Sequence, residues 1–600
     1  MPRSVNEEYE TRRSAAQSEY EQWQQRSSTF VLACLPLLIY GVILGAKAFR
    51  GDTSHWLAFA ITWLAAGAAG VGLMHARRRS NVGMRRAIFY EQGLARLNGE
   101  VTQTGHTGEA YAPPNHVYAR DLNVIGPHSL FGMLAITRTA LGHEALADSL
   151  LTLRSADEAR LQQGAIQELT SAYELREQVA LLGRSDFEQV PADSFANWLR
   201  EERRQIPQWL QPLLLVSNVL WLALLVAGFV GHLDQPTLLR NVAAALALQG
   251  ALCLSVRTTV QEELDGVERL AGQAAIVRNG LRLLTAAKFT SEHMLALQKS
   301  AEGDDRALAR LQRLLALEEQ RAKEWYYAPA LLLSVGTHTA IGLQRWKRQY
   351  AVPMQRWLRA WSEFDALLAL STYAVEHPEH VYARFESAHV ESAVFVAEEM
   401  KHPLLPAHEA VANDITLDAQ TRFLLISGSN MAGKSTLLRA MGANAVLALA
   451  GLPVPARSLR LGAAGIGASL AITDSLAERK SKFLAEVERL RAIVALAEKE
   501  RAGTLFLIDE ILSGTNSLDR KASAEAVLLS LLEAGAVGAI STHDLTLTAL
   551  AEMPQVHGRN VHMASPDEDD PLGFDYKLKD GVNQTTNALA IVRMLGLAKK

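Results

Sequence analysis

A buried strand that empties into a glycine-rich loop and then a helix leaves a chain little choice of fold, and residues 423–438 read FLLISGSNMAGKSTLL. Phe423–Ile426 is a short apolar run of the kind that forms a strand covered on both faces. It is followed by Gly428, Ser429, Asn430, Met431, Ala432, Gly433, Lys434 and Ser435, the pattern G-x-x-x-x-G-K-S, and Thr436 onward reads as a helix. Strand before and helix after is the context a phosphate-binding loop requires. Glycines let backbone N–H groups turn inward around phosphates, and the helix N-terminus adds its positive end. Lys434 would reach the β- and γ-phosphates of a nucleoside triphosphate, and the Ser435 hydroxyl would hold Mg²⁺.

Two segments downstream supply the missing chemistry. Thr504–Ile508 (TLFLI) is an apolar strand ending in Asp509-Glu510. Asp509 would hold Mg²⁺, directly or through water, and Glu510 would orient and deprotonate an attacking water. A polar turn, Ser513–Asp519, could face a second subunit. Ala534–Ser541 (AGAVGAIS) is another buried strand, with Thr542-His543 at its C-terminal edge. Ligand groups in open α/β sheets gather at that edge, so His543 is placed to report on a γ-phosphate.

The remaining length has to be several domains, since single cores stop growing near ~250–300 residues. Phe30–Ala46 and Trp56–Met74 are nearly uncharged runs of 17 and 19 residues joined by a short polar loop. Leu213–Val230 and Val242–Val256, of 18 and 15 residues, form a second pair. Such lengths approach the ~20 residues that span a bilayer, and the pairing predicts two membrane hairpins. Arg77–Arg79, Arg85 and Arg86 follow the second run, Arg200, Arg203 and Arg204 precede the third, and Arg257 follows the fourth. The positive-inside rule then expects a multi-pass cell-membrane protein with both termini and the bulk of the chain in the cytoplasm. A long charged segment before Phe30 argues against a cleaved signal peptide. A net charge of −4 gives no overall basic bias toward nucleic acid, and Cys34 and Cys253 read as small hydrophobes in apolar segments. Asn81–Gly99 reads as helix, Val101–Pro127 as loop, and Ser129–Leu151 as helical with a turn near Thr137–Gly142. Arg154–Arg204 and Gln261–Glu324 are polar helical regions, the second broken only at Gly303-Asp304-Asp305, and Ala328–Tyr373 is helical and aromatic-rich.

The loop S-G-S-N-M-A-G-K-S-T resembles the T-G-P-N-M-x-G-K-S-T of the MutS family, in which Asn-Met before the second glycine is distinctive. The family's other motifs follow in order: His402-Pro403, Asn413-Asp414, Gly451–Ala456 (GLPVPA), Ser481–Glu486 (SKFLAE), Asp509-Glu510 with Ser513–Thr515, Ser541–His543, and a strand at Phe574–Gly581. Upstream, Ser129–Leu151 resembles the start of the MutS core, and the helices over 260–385 resemble its lever and core. The resemblance implies an ATPase working on ATP and Mg²⁺ as a homodimer, with Ser481 of one subunit approaching the γ-phosphate bound by the other. Tyr576 stands at the position that stacks on adenine in relatives. It also implies binding of mismatched or branched DNA and a role in DNA repair.

Four departures stand beside it. Glu409-Ala410-Val411 occupies the place of a second aromatic, and Lys482 replaces the usual Thr. No counterpart is seen of the domain that wedges a Phe into mismatched duplex; apolar runs and a linker occupy the N-terminus. Leu213–Val256 interrupts the lever helices where relatives carry their DNA clamp, so those lever tips are expected to enter or line the membrane. The expected fold is therefore multidomain: α-helical membrane hairpins and a helical core and lever, followed by a C-terminal α/β P-loop ATPase domain of the ABC-like, MutS type. The expected divisions are a cytoplasmic segment 1–29, a hairpin 30–80, a linker and start of core 81–208, a second hairpin 209–257, lever and core 258–385, and the ATPase domain 386–600. The alternatives are an ABC-like ATPase of membrane transport or remodelling, against which no L-S-G-G-Q precedes Asp509, and a nucleotide-regulated membrane tether.

Overall fold

In the computed structural model the described residues are 4–49, 55–100, 102–183, 191–201, 203–321, 323–386, 394–429, 431–463, 465–470, 482–500, 503–513, 517–565 and 573–583. Two compact units result. The first comprises residues 1–104, 172–181 and 372–378. Its body is a hairpin of two long helices, Val5–Phe49 and Trp56–Leu97. The polar segment before Phe30 and the apolar run after it are thus one continuous helix, and the same holds for Trp56–Met74 and Asn81–Leu97. The apolar stretches turn large side chains outward: Leu32, Leu57 and Leu64 are each about three-quarters exposed. Small residues bring the helices together, with Gly72 against the Phe30 ring and Gly83 against the backbone of Tyr20. At the other end the polarity reverses. Tyr9, Tyr90 and Leu94 are buried there, Arg96 donates to Glu376 at 2.9 and 2.7 Å, and Arg86 bridges Glu19 and Glu177.

The second unit holds everything else. Its helical part includes a second apolar hairpin, Leu210–Phe229 and Gln235–Ser255, turning at Gly231 with Asp234 capping Thr237 N. Among the described residues four helices are long and apolar enough to cross a membrane. Gln261–Glu324 is more broken than its pattern suggests. Beyond Gly303, the chain stops at Asp265-Gly266, where Gly266 has φ +70°, and again between Ala286 and Glu292. Ala328–Tyr373 is likewise divided, into Glu324–Leu332 and Val335–Glu376, at Ser334 with φ +53°. The longer helix buries Trp346, Trp357 and Trp361, whose indoles donate to Ala307 O, Glu302 O and Thr139 Oγ1. Ser129–Leu151 forms two helices, Leu130–Leu134 and Ala140–Leu151, because Ser129 and Thr139 each cap a new N-terminus. Asp365 anchors that second cap: it accepts from Arg138 N, Thr139 N and Thr139 Oγ1.

Among the described residues the C-terminal α/β region carries ten strands: β1 (Arg384–Phe385), β2 (Phe395–Met400), β3 (Asn413–Leu417), β4 (Phe423–Gly428), β5 (Ser458–Leu461), β6 (Gly465–Ser469), β7 (Thr504–Asp509), β8 (Val537–Thr542), β9 (Gly558–Met563) and β10 (Lys579–Asp580). They make two sheets, in the orders β1-β5-β2-β3 and β10-β9-β4-β8-β7-β6. In the larger sheet β9, β4, β8, β7 and β6 run parallel, with Leu425 opposite Ile540 on one side and Asn560 on the other. All six residues of β4 and all six of β8 are buried, as continuous apolar runs in a parallel sheet must be. The strand expected over Phe574–Gly581 is reduced to β10. Tyr576 takes φ +54°, a conformation that cannot extend a ladder.

Candidate functional site

The parallel registers bring the C-terminal ends of β4, β7 and β8 side by side, and the candidate residues lie there. Gly428 closes β4 at φ +145°; a Cβ there would lie 2.3 Å from Met563 O, so only glycine turns the chain this way. Gly433 opens the helix Lys434–Leu449 at φ +93°. Lys434 is almost wholly buried, and its Nζ donates to Gly428 O and Ser429 O, each at 2.8 Å. The ammonium is thus folded back into its own loop. Burial pushes its pKa below the usual lysine range, while Asp509 and Glu510 pull the other way. Ser429 Oγ is buried without a hydrogen-bond partner among the described residues. Met431 and Thr436 are exposed and Ala432 is buried; Asn430 and Ser481 lie outside the described residues.

Asp509 is held from two sides. Ser435 Oγ donates to its Oδ2 and Ser541 Oγ to its Oδ1. The hydroxyl and carboxylate expected to share Mg²⁺ are therefore already in contact. Glu510, the next residue, has φ +50°, and its N–H donates to Ser541 O at 3.0 Å. Its Oε1 lies 3.2 Å from His543 Nδ1, so β7 and β8 bring the expected base and the expected histidine together. Tyr576 arrives from the C-terminal segment, with its ring 2.9 Å from where a Gly433 Cβ would stand. It is nearly half exposed, leaving ring area for a ligand.

Three supports hold these groups in place. Glu486, buried on the helix Lys482–Lys499, accepts from Leu512 N, and Leu512 is itself left-handed at φ +52°. Arg520 donates to Leu512 O, Ser513 O and Asp544 Oδ2, tying the turn after Glu510 to the turn after His543. Asn413 donates to Tyr576 O at 3.0 Å and accepts from Leu578 N at 2.8 Å, which pins the tyrosine's segment against the loop. The motif spacing pointed to Asn413 and Glu486 without saying what either holds; nothing in the sequence singled out Arg520. His402 serves packing: it is buried, its Nδ1 accepts from Leu404 N, and burial pushes its pKa down to about 4.

The donor set fits a phosphate chain with a hard cation. A glycine-bounded loop with a buried lysine suits phosphates, an orphaned hydroxyl is left for a partner, and a hydroxyl-carboxylate pair suits Mg²⁺. The neighbouring Glu510 and His543 are placed to handle a water and its proton.

Comparison with known proteins bears on the same region. A family model described as MutS domain V matches residues 424–600. The DNA mismatch repair protein MutS of Thermus thermophilus is 32% identical over 285 residues, covering 47% of this chain and 33% of that protein. The DNA mismatch repair protein MutS of an Exiguobacterium species is 34% identical over 248 residues, 40% of this chain and 28% of that protein. The Endonuclease MutS2 of Thermus thermophilus is 38% identical over 202 residues, 33% of this chain and 26% of that protein. The chain spans about a third or less of the length of these curated relatives. The arrangement of loop, Asp-Glu strand and histidine strand, with the match over residues 424–600 and these partial alignments, supports the MutS family for the C-terminal α/β region.

Proposed function

We propose that the protein is a membrane-anchored MutS-like ATPase that binds ATP with Mg²⁺, hydrolyses it to ADP and phosphate, and uses the cycle to open and close a homodimer. The observation that carries this reading is the convergence of Lys434, Ser435, Asp509, Glu510 and His543 at one sheet edge. Lys434 exchanges its contacts with Gly428 O and Ser429 O for phosphate oxygens, and the loop amides complete that cradle. Ser435 and Asp509 would hold Mg²⁺, which when bound neutralises charge on the phosphates. Glu510 orients a water and takes its proton, and His543 steadies the Glu510 carboxylate through the hydrogen bond between them. Tyr576 stacks on the base and Ser481 reaches the partner's nucleotide, as the resemblance implies.

Anchoring rests on the four apolar helices, whose outward-facing leucines would face lipid, with the arginine clusters setting a cytoplasmic ATPase region. Mismatched DNA is the partner that the relatives' names suggest, and branched DNA is what the motif resemblance adds. The second hairpin favours one other reading, an ABC-like ATPase acting in membrane transport or remodelling. Purified full-length protein assayed for ATPase rate and binding with duplex, mismatched and branched DNA separates the two. Stimulation by DNA supports the first; stimulation only by lipid or a transported solute supports the second. Protease treatment of intact spheroplasts carrying a tag in the 231–234 loop tests the anchor, and complete protection of that tag would count against spanning.

A further inference from the structure

The apolar hairpin Leu210–Phe229/Gln235–Ser255 carries polar residues where a plain anchor would have none. Ser217, Asn218 and Gln249 are all more than nine-tenths buried. Asn218 stands eight residues into its helix and Gln249 six from the end of the other, roughly 12 and 9 Å from the helix ends at ~1.5 Å per residue. Polar side chains at such depth are costly unless satisfied. Here they are satisfied by the break at Leu333-Ser334. Gln249 Nε2 donates to Leu332 O at 2.7 Å and lies 2.7 Å from Ser334 Oγ, and Asn218 Nδ2 donates to Leu333 O at 3.1 Å. The carbonyls freed at the end of the helix Glu324–Leu332 thus find donors on the apolar hairpin. Ser217 Oγ and Trp221 Nε1 donate in turn to Gln249 and Asn218.

The chain around the break has the composition of the bilayer interior. From Trp325 to Leu343 there is no Asp, Glu, Lys or Arg. Tyr327, Leu331 and Leu332 are 60%, 68% and 44% exposed, like the outward residues of the hairpin itself. Charge returns at Arg345, which donates to Gln211, while Gln344 bonds the backbone of Arg204 and Ile206, level with the start of the apolar helix. A cavity of about 1010 Å³ opens between this tip and the helix Gln235–Ser255, walled in part by Leu246, Leu254, Tyr327 and Leu331 and reaching the charged residues Arg257, Glu262, Asp265 and Arg321.

We propose that residues 325–343 are a third membrane element, a re-entrant helix-break-helix clasped by Asn218 and Gln249, whose outer face is covered by lipid acyl chains. This rests on the membrane reading above. The backbone break is tolerable at that depth because protein side chains satisfy it.

The test uses full-length protein in phospholipid vesicles, in a Cys34→Ser, Cys253→Ser background. Single cysteines at Leu331, at Leu220 and at Val352 carry an environment-sensitive fluorophore; all three parent residues are exposed, so labelling leaves packing intact. Spin-labelled acyl chains should quench Leu331→Cys as strongly as Leu220→Cys, and aqueous iodide should quench only Val352→Cys. Iodide quenching at Leu331 with lipid quenching at Leu220 overturns the re-entrant element while leaving the anchor standing. Iodide quenching at Leu220 overturns the membrane reading and this inference with it. Adding Gln249→Leu should expose the Leu331 probe to iodide and leave the Leu220 probe unchanged; an unchanged Leu331 probe would remove the clasp.

Discussion

Glu486 does not touch the expected position of the nucleotide, yet its loss should cripple turnover. Glu510 and Leu512 both sit in the left-handed region, at φ +50° and +52°, at a cost of order 1–3 kcal/mol each. The bonds that hold the turn include Glu510 N to Ser541 O, Arg520 to Leu512 O and Ser513 O, and Leu512 N to the Glu486 carboxylate. Hydrogen bonds to charged groups contribute about 1.5–3 kcal/mol, so Glu486→Ala removes an anchor about as large as the strain on one residue. At about 1.4 kcal/mol per factor of ten, kcat should fall roughly 10- to 100-fold as the turn relaxes and Glu510 leaves its place beside His543. The loop that holds the phosphates is on another strand, so KM for ATP should move little. Glu486→Gln keeps an acceptor for Leu512 N and should recover much of the loss. Steady-state ATPase kinetics on the three proteins, with fluorescent-nucleotide binding, reads both quantities. A wild-type kcat in Glu486→Ala would refute the positioning argument, and so would a loss shared equally by nucleotide affinity and thermal midpoint.

Glu510→Gln should retain ATP binding and lose turnover, because it removes the group that accepts the water's proton; normal turnover would defeat that role. Lys434 is held below the usual lysine range by burial, so its ammonium is lost as pH rises through that lowered pKa. ATP affinity should therefore decline as pH rises toward the usual lysine range, with proton uptake on binding, and a flat profile would contradict it. Asn413→Ala frees the backbone around Tyr576 and should raise KM for ATP severalfold with little change in kcat, as nucleotide titration would show. His402 and His143, both pushed down to about 4 chiefly by burial, stay neutral when folded and protonate on unfolding. The unfolded state then binds more protons, so thermal stability should fall as pH drops from about 6.5 toward 4. His402→Gln should flatten that slope in thermal melts, and an unaltered slope would show that His402 is not its source.

Local chemistry made much of this legible in advance. The strand Phe423–Gly428, the loop glycines, the Asp509-Glu510 strand end and the four apolar helices each announce themselves within a short window. Their physics, continuous burial, positive φ and helix start, is local. The breaks were less visible. Ser334 and Gly266 interrupt patterns that read as continuous helix, and Tyr576 leaves the ladder its segment was expected to join.

What the sequence alone determined was the inventory: a phosphate loop, a carboxylate pair, a histidine at a strand end, and apolar helices in pairs. Only the tertiary structure decided which groups meet. Glu486 on Leu512 N, Arg520 across two turns, Asn413 under Tyr576, and Asn218 and Gln249 on Leu333 and Leu332 are side-chain bonds to distant backbone. Backbone groups look alike in every sequence, so no residue pattern names which carbonyl or amide a remote side chain will take. Packing sets that choice once strand register and helix ends are in place.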